Sequence, residues 1–499
     1  MEKRSLAQRF ASGITWNIVG RILLGIMGLF ISILIARSLG KENLGIYATL
    51  LTIPAIMRLF SSFGFETSLN IKLPMLMAKK QKEQSVFLVN RLLIGRIFIS
   101  ALFCLGLYFS LPILEKWMHI NEMNIYFPYI SCYFFCAVLL SFVSMIPRAL
   151  IKIKEVSILE SLNQFGNMIL LLIFILVFGL TIKGVFVAYI ISTVIVVFIF
   201  IFIFRHLYFG NFSSFGMGEV YEIGITASLA SLLAFGLGQQ IDILLLNYFK
   251  VAKTTVGFYY LAISIVAMFS FLSTGIGALS QSSFSEQYAK RGNEGLISTF
   301  PIIVKVCVLL SIPFGFFGIF FAQDIIYSLY GVEYAGTTIL LQLYAACWCI
   351  QILVGSSFCN PLFYILRCKK SLLAFQFLIG GFNIVLDLVL IPTYGALGAI
   401  IATGVSAVLI GLTMFFYLWK RIGINLPWLF EVKIIVMCAA GLFCAYWVKG
   451  VGFHYLLTKG VVYLIVFILM AKLLKPLEEG DRLMIRNTSP FFNEISQHF

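Results

Sequence analysis

The sequence is poor in charged residues and in the motifs of soluble enzymes. Only 11% of its 499 residues are charged, whereas a soluble domain carries about 25%. The chain has four histidines. It shows no His/Glu metal motif, no Walker-A lysine loop and no Gly-x-Ser-x-Gly elbow. These absences argue against a soluble globular protein and predict that the chain is not an enzyme.

Long apolar runs take the place of polar loops. The sequence is 61% hydrophobic, and many runs reach the ~20 residues that cross a membrane as a helix. The runs are continuous rather than alternating, which excludes a membrane β-barrel. We therefore predict an all-α polytopic membrane protein whose connections are too short to hold another domain. The fourteen predicted spans are approximately 14–36, 45–63, 86–112, 125–147, 158–180, 184–204, 224–249, 256–280, 302–321, 337–360, 372–391, 395–418, 430–449 and 455–474.

The basic residues indicate the orientation of the chain. The net charge is +15, but the lysines and arginines are spread thinly over the connections, which disfavours nucleic acid as a partner. With the N-terminus inside, the inner connections hold roughly three times as many of them as the outer ones. We therefore expect a multi-pass membrane protein with both termini in the cytoplasm. The first run is long enough to span, so we expect a retained helix rather than a cleaved signal peptide.

The ten cysteines do not indicate disulfides or a metal site. Nine lie in apolar runs and none has metal-ligand spacing with histidine. We interpret them as small hydrophobic residues.

A weak internal repeat indicates the architecture. Four pairs of short motifs recur in the same order about 212 residues apart, which argues for duplication of a six-helix unit. They are Gly45-Ile-Tyr47 with Gly257-Phe-Tyr259, Ala78-Lys-Lys80 and Glu83 with Ala289-Lys-Arg291 and Glu294, Pro147 and Ser157 with Pro361 and Ser371, and Gly184, Ala188 and Ser192 with Gly395, Ala399 and Thr403. Because six is even, the copies share one orientation and form two parallel bundles around a central cavity. The predicted domains are an N-lobe (1–210), a C-lobe (211–422), two extra helices (423–476) and a cytoplasmic tail (477–499).

Five cations lie inside predicted spans, where charge is expensive and marks a wet cavity or a bundle interior. They are Arg21, Arg58, Arg91, Arg96 and Lys305. A cationic cavity suits an anionic substrate, and the planar guanidinium suits diphosphate oxygens. The alternative is that these side chains snorkel to the cytoplasmic headgroups, which we favour for Arg91. We predict Arg21, Arg58, Arg96 and Lys305 as substrate-binding residues.

Four oxygen-bearing side chains lie at a similar depth near the outer ends of their spans. They are Asp242, Asn383, Asp387 and Thr403. Asn383 and Asp387 are four residues apart and share a helix face. Two carboxylates with two further oxygens suit a small hard cation. The alternative is that each side chain has a separate hydrogen-bond partner within the bundle.

The opening hairpin, residues 12–64, resembles a known family. Ser12-x3-Trp16, Ala36-Arg-Ser-Leu-Gly40, Gly45-Ile-Tyr47 and Gly64 resemble the polysaccharide-transporter branch of the MOP exporter superfamily, whose members include Wzx-type O-antigen flippases. The resemblance implies a two-lobed flippase of 12 to 14 helices. Such a protein moves polyprenyl-diphosphate-linked oligosaccharides outward by alternating access.

The related lipid II flippase branch implies specific roles for several residues. Its cavity arginines on helices 1 and 2 match Arg21 and Arg58, but span 8 lacks the arginine of that branch, and the nearest C-lobe cation is Lys305. Its sodium site matches Asp242, Asn383, Asp387 and Thr403, with Ala399 where a backbone carbonyl contributes. The resemblance thus implies a sodium ion or a proton as the coupling ion.

We therefore expect an ion-coupled flippase for undecaprenyl-diphosphate-linked repeat units. The expected partners are the lipid-linked oligosaccharide, membrane lipid, a glycan polymerase and other envelope assembly proteins. A multidrug antiporter of the same superfamily is the first alternative, although spans 1 to 4 lack the buried acids that bind organic cations. A membrane glycan polymerase or ligase is the second, although no large external loop is present.

Overall fold

The computed structural model describes residues 6–120, 123–150, 152–179, 181–233 and 238–476. Within these ranges the chain is helical and has no β-strand, which confirms the all-α prediction. The helices are α1 (Leu6–Phe60), α2 (Phe65–Ala78), α3 (Lys82–Met118), α4 (Met123–Ala149), α5 (Ile153–Ile173), α6 (Ile182–Ile203), α7 (Gly218–Leu233), α8 (Gln239–Tyr248), α9 (Lys253–Phe320), α10 (Ala322–Leu329), α11 (Thr337–Leu353), α12 (Ser356–Ile365), α13 (Lys369–Tyr394), α14 (Ala396–Ile422), α15 (Trp428–Tyr446) and α16 (Phe453–Leu474).

The helices are long and apolar enough for a multi-pass membrane protein. Among the described residues, eleven helices could each cross a membrane, or twelve if α11 and α12, bent by 43°, form one broken span. Many large apolar side chains are exposed, including Phe109 (71%) and Leu176 (81%). Lipid tails satisfy such surfaces, whereas water does not. The predicted number of fourteen spans stays a prediction.

The opening hairpin consists of two helical stretches that meet at a kink at Gly40, where φ is +74°, inside the predicted connection between spans 14–36 and 45–63. The connection is this one sharp turn rather than a loop. A helix of 55 residues would extend about 80 Å without this turn. The second predicted helix ends at Phe60, and after a break of four residues α2 follows where we predicted a connection.

Glycines also mark the other interruptions of the long helices. The predicted connection at 281–301 is helical, and α9 turns only at Gly292, where φ is +60°. The predicted span at 337–360 is divided at Gly355, which precedes α12 with φ at +67°. A positive φ strains residues with a Cβ, so glycine is the residue that fits these turns.

The chain forms two compact units. The N-terminal unit is Ile26–Gly257, and the C-terminal unit contains the described residues of Met1–Gly25 and Phe258–Phe499. Helices α7 and α8 belong to the N-terminal unit by their contacts. The predicted lobes depend on the sequence duplication rather than on contacts, and they stay a prediction.

Each unit has its own apolar core. In the N-terminal unit, α2, α3, α4 and α6 bury a cluster that includes Leu73, Leu92, Phe142 and Phe200. In the C-terminal unit, α15 and α16 pack against each other, and Tyr463 packs in a cluster with Phe321. The ten cysteines are free thiols.

Candidate functional site

The candidate site is built around the break between α1 and α2. Arg58 lies in the last turn of α1, and Glu66 lies in the first turn of α2. Between them, Gly64 has φ at +65° and precedes α2. A helix break leaves backbone groups without helical partners, so these groups need other partners from the protein.

Arg96 of α3 supplies a partner at the break. It is only 1% exposed, and its Nη1 donates to the carbonyl oxygen of Ser61. Its Nη2 lies 3.2 Å from Glu66 Oε1. Arg96 therefore satisfies the carboxyl end of α1 and forms an ion pair with the first turn of α2.

The charges at the break match the dipoles of the two helices. The carboxyl end of a helix carries partial negative charge and its amino end partial positive charge. Arg58 and Arg96 lie at the carboxyl end of α1, and Glu66 lies at the amino end of α2. Removing one partner of a buried ion pair leaves the other charge buried without a counter-charge, at a cost of about 3–5 kcal/mol, so Arg96 and Glu66 depend on each other.

A cavity of about 430 Å³ opens at this break in the N-terminal unit. Among the described residues that line it, the charged ones are Arg58, Arg96 and Glu66. Ser141 of α4 and Gln240 of α8 add polar groups, and the Ser141 hydroxyl lies 3.5 Å from Glu66 Oε1. The cavity wall therefore carries one net positive charge together with neutral hydrogen-bonding groups.

Helices α2 and α7 form a close contact next to the cavity. A Cβ placed on Gly64 would lie 2.0 Å from the carbonyl oxygen of Gly224, so the two backbones touch. Ser68 Oγ donates to the Val220 carbonyl at 2.7 Å. Lys72 then pairs with Glu219 at 2.5 Å. We call these contacts the α2–α7 contact.

A second close contact joins α1 to the start of α9. A Cβ on Gly45 would lie 1.7 Å from the Lys253 carbonyl oxygen, and one on Gly257 would lie 2.7 Å from the Lys41 carbonyl oxygen. Nearby, Asn247 of α8 donates from Nδ2 to Thr49 Oγ1 of α1 at 3.2 Å. The first pair of motifs in the predicted duplication, at Gly45 and Gly257, thus meets in space. We call this the α1–α9 contact.

Two of the charged cavity residues, Arg58 and Glu66, lie along the chain between Gly45 of one contact and Lys72 of the other. Arg58 follows Gly45 by nearly four helical turns and precedes Lys72 by a similar distance. Both contacts and the cavity lie within the N-terminal unit. This arrangement can hold a polar group between two closed helix contacts.

The other predicted cations are not among the described residues that line this cavity. The Arg21 side chain lies outside the described residues. Lys305 belongs to the C-terminal unit, where its Nζ lies 6.0 Å from the centre of the Phe430 ring. Arg91 of α3 is exposed, as snorkelling requires.

Four of the predicted ion ligands lie on two helices that pack together. Asn383 and Asp387 are fully buried in α13, and Asn383 Nδ2 donates to Asp387 Oδ2 at 3.1 Å. Thr403 and Ala399 are buried in α14, which packs along α13. The buried oxygens on these two helices have the chemistry of a hard-cation site.

The fifth predicted ligand belongs to the other unit. Asp242 is fully buried in the first turn of α8, in the N-terminal unit. Among the described residues, no group of three or more His, Cys, Asp or Glu side chains is arranged to hold a metal. The predicted ion ligands include two carboxylates and no His or Cys, so they would not form a group of that kind.

Sequence reasoning missed the role of Glu66. Glu66 is not among the residues that the sequence predicts as substrate-binding. The sequence does contain a signal for this role. Arg58 precedes the helix break at Ser61-Ser62 and Gly64, and Glu66 follows it. A cation before a break and an acid after it match the two helix dipoles.

Solved structures of transporters share this fold. The lipid II flippase MurJ in an inward closed conformation aligns with a TM-score of 0.72 and 15% identity, covering 91% of this chain and 98% of that one. An inward-facing multidrug resistance MATE family transporter of the MOP superfamily aligns with a TM-score of 0.64 and 16% identity, covering 81% and 98%.

A third solved structure with this fold is a MOP superfamily transporter from Pyrococcus furiosus, which is described as having a binding pocket of reverse polarity. It aligns with a TM-score of 0.61 and 14% identity, covering 85% of this chain and 99% of that one. At these identities the likeness shows the fold alone. A search of curated protein sequences gave no match.

The family is shown by a different comparison. The family model for polysaccharide biosynthesis proteins matches residues 10–280, which is more than half of the chain. This range includes the opening hairpin, both helix contacts and all the charged residues of the cavity. The chain therefore belongs to the polysaccharide biosynthesis protein family.

Proposed function

We propose that the protein is a flippase for undecaprenyl-diphosphate-linked oligosaccharide repeat units in the bacterial inner membrane. The observation that carries the proposal is the cavity at the α1–α2 break, where Arg58 and Arg96 face a space of about 430 Å³. A cationic cavity inside apolar helices suits an anionic headgroup. The diphosphate is the anionic group that all such lipid-linked glycans share.

In this proposal Arg58 is the first contact for the diphosphate. Its side chain is exposed in the cavity, and guanidinium groups bind phosphate oxygens through two parallel hydrogen bonds. Arg21 and Lys305 stay contacts predicted from the sequence. Ser141 and Gln240 supply neutral groups for the first sugar. The polyprenyl tail stays in lipid.

Alternating access follows from opening the two helix contacts in turn. With both termini cytoplasmic, the α2–α7 contact closes the inner side and the α1–α9 contact closes the outer side. The small residues at both contacts, Gly45 and Gly64 among them, let helices separate and close again with little side-chain rearrangement. The α2–α7 contact additionally has the Lys72–Glu219 pair to re-form.

The coupling ion is proposed to bind at the buried oxygens of α13 and α14. Asn383, Asp387, the Ala399 carbonyl and Thr403 would hold a sodium ion, or the Asp387 carboxylate would take up a proton. Asp242 stays a predicted ligand. Such binding drives transport only if its affinity differs between the two access states.

A MATE-like antiporter is the second candidate because its fold matches almost as well. It is disfavoured by the two arginines in the cavity, which repel an organic cation. The test is transport by the purified protein in proteoliposomes, with a fluorescent lipid-diphosphate oligosaccharide and ethidium as parallel substrates. The proposal predicts that the glycolipid moves between leaflets without being lengthened. Transport of ethidium alone would contradict it, and lengthening of the glycan would indicate a polymerase.

A further inference from the structure

One of the residues that line the cavity, Glu66, has an acidic side chain. We propose that Glu66 is an internal counter-anion of Arg96, which the substrate diphosphate displaces when it binds and which reclaims Arg96 when the substrate leaves. This inference rests on the proposed function and concerns the same cavity. It makes Glu66 a positioning residue that tunes how tightly the cavity holds its substrate.

The first argument is burial. Arg96 is 1% exposed, and a guanidinium removed from water to this extent needs an anionic partner. Glu66 provides one within the protein, with its Oε1 at 3.2 Å from Arg96 Nη2. The charge of Arg96 is therefore neutralised by the protein itself, without a bound ligand.

The second argument is position. Arg96 and Glu66 both line the cavity with Arg58, and the Glu66 side chain is 13% exposed. An anion in the cavity thus competes directly with the Glu66 carboxylate for Arg96. The Glu66 Oε1 also lies 3.5 Å from the Ser141 hydroxyl, which offers the displaced carboxylate another hydrogen-bond donor.

The third argument is charge. The described lining residues carry one net positive charge. A phospholipid headgroup with a single phosphodiester charge is matched by Arg58 alone and has little to gain by separating Arg96 from Glu66. A diphosphate carries a second charge, which Arg96 can match. Glu66 therefore favours headgroups with two charges and weakens their binding enough for release.

The experiment compares Glu66→Gln with wild type in pyrophosphate binding, measured by calorimetry on the purified full-length protein. Removing the competing charge should tighten pyrophosphate binding on the order of tenfold. Glu160→Gln is the matched control, because Glu160 is ion-paired to Arg148 and does not line the cavity. It should bind pyrophosphate as wild type does.

The outcomes separate this inference from the proposed function. If wild type and Glu160→Gln bind no pyrophosphate, the headgroup site itself is wrong. If wild type binds it and Glu66→Gln binds it equally or more weakly, the counter-anion role alone is overturned, and Glu66 only stabilises the fold. If Glu66→Gln does not fold, Glu66→Asp replaces it. The shorter side chain of Glu66→Asp withdraws the carboxylate from Arg96, so pyrophosphate binding should tighten by a smaller factor. Unchanged pyrophosphate binding would overturn the inference.

Discussion

Alanine at Gly64 tests the α2–α7 contact most sharply. Gly64 has φ at +65°, and a Cβ there would lie 2.0 Å from the Gly224 carbonyl oxygen. Ordinary contacts begin near 3.4 Å, so α2 must move by more than 1 Å away from α7. The Ser68–Val220 hydrogen bond, at 2.7 Å and one turn away, cannot survive such a shift.

The expected loss of stability has three parts. The left-handed backbone conformation costs about 1–2 kcal/mol for a residue with a Cβ. Overpacking costs about 1–3 kcal/mol, and a lost hydrogen bond about 1 kcal/mol. Gly64→Ala should therefore destabilise the protein by about 3–6 kcal/mol in all, seen as a lower unfolding temperature of the purified protein in detergent.

Gly423→Ala is the matched control for this substitution. Gly423 has φ at +80°, and a Cβ there would meet nothing within 4 Å. Gly423→Ala should therefore lose only the stability that the left-handed backbone conformation costs, about 1–2 kcal/mol. Equal losses of stability in the two variants would refute the close approach of α2 and α7.

Two further predictions concern the C-terminal unit. Asp387→Asn should abolish sodium- or proton-dependent flipping in proteoliposomes while membrane insertion stays normal. The reason is that it removes the carboxylate that pairs with Asn383 in the buried interior. Undiminished ion-dependent flipping would contradict the ion site. Lys459→Met should lower the unfolding temperature, by loss of about 1–3 kcal/mol, because Lys459 pairs with Asp324 at 2.8 Å and is only 10% exposed. The exposed Lys449→Met should leave stability unchanged, and equal shifts would mean that the buried pair contributes nothing.

The sequence predicted the helical class and most helix positions, because apolar runs of membrane length leave the backbone no alternative. It did not predict α2 (Phe65–Ala78). This segment contains Glu66 and Lys72, which interrupt its apolar character. Their partners, Arg96 and Glu219, are distant in the sequence, so a local pattern could not show that these charges are satisfied.

The candidate site was predicted only in part, for the same reason. Arg58 and Arg96 stood out because each is a charge in an apolar run. That they line one cavity depends on the packing of α3 against α2. The role of Glu66 depends on the same packing, since hydropathy gives it only a place at a helix end. Similarly, nothing local relates Gly64 to Gly224, although each glycine is essential to their close approach.

The central claim is that the cavity arginine at the α1–α2 break holds the diphosphate of the substrate. The direct measurement is the rate at which a fluorescent lipid-diphosphate oligosaccharide is flipped by Arg58→Ala, compared with Arg91→Ala. Both variants lose one arginine from an apolar run, but only Arg58 lines the cavity. A charge-assisted hydrogen bond contributes about 1.5–3 kcal/mol, so Arg58→Ala should flip at least roughly tenfold more slowly, while Arg91→Ala keeps the wild-type rate. Wild-type flipping by Arg58→Ala would contradict the account.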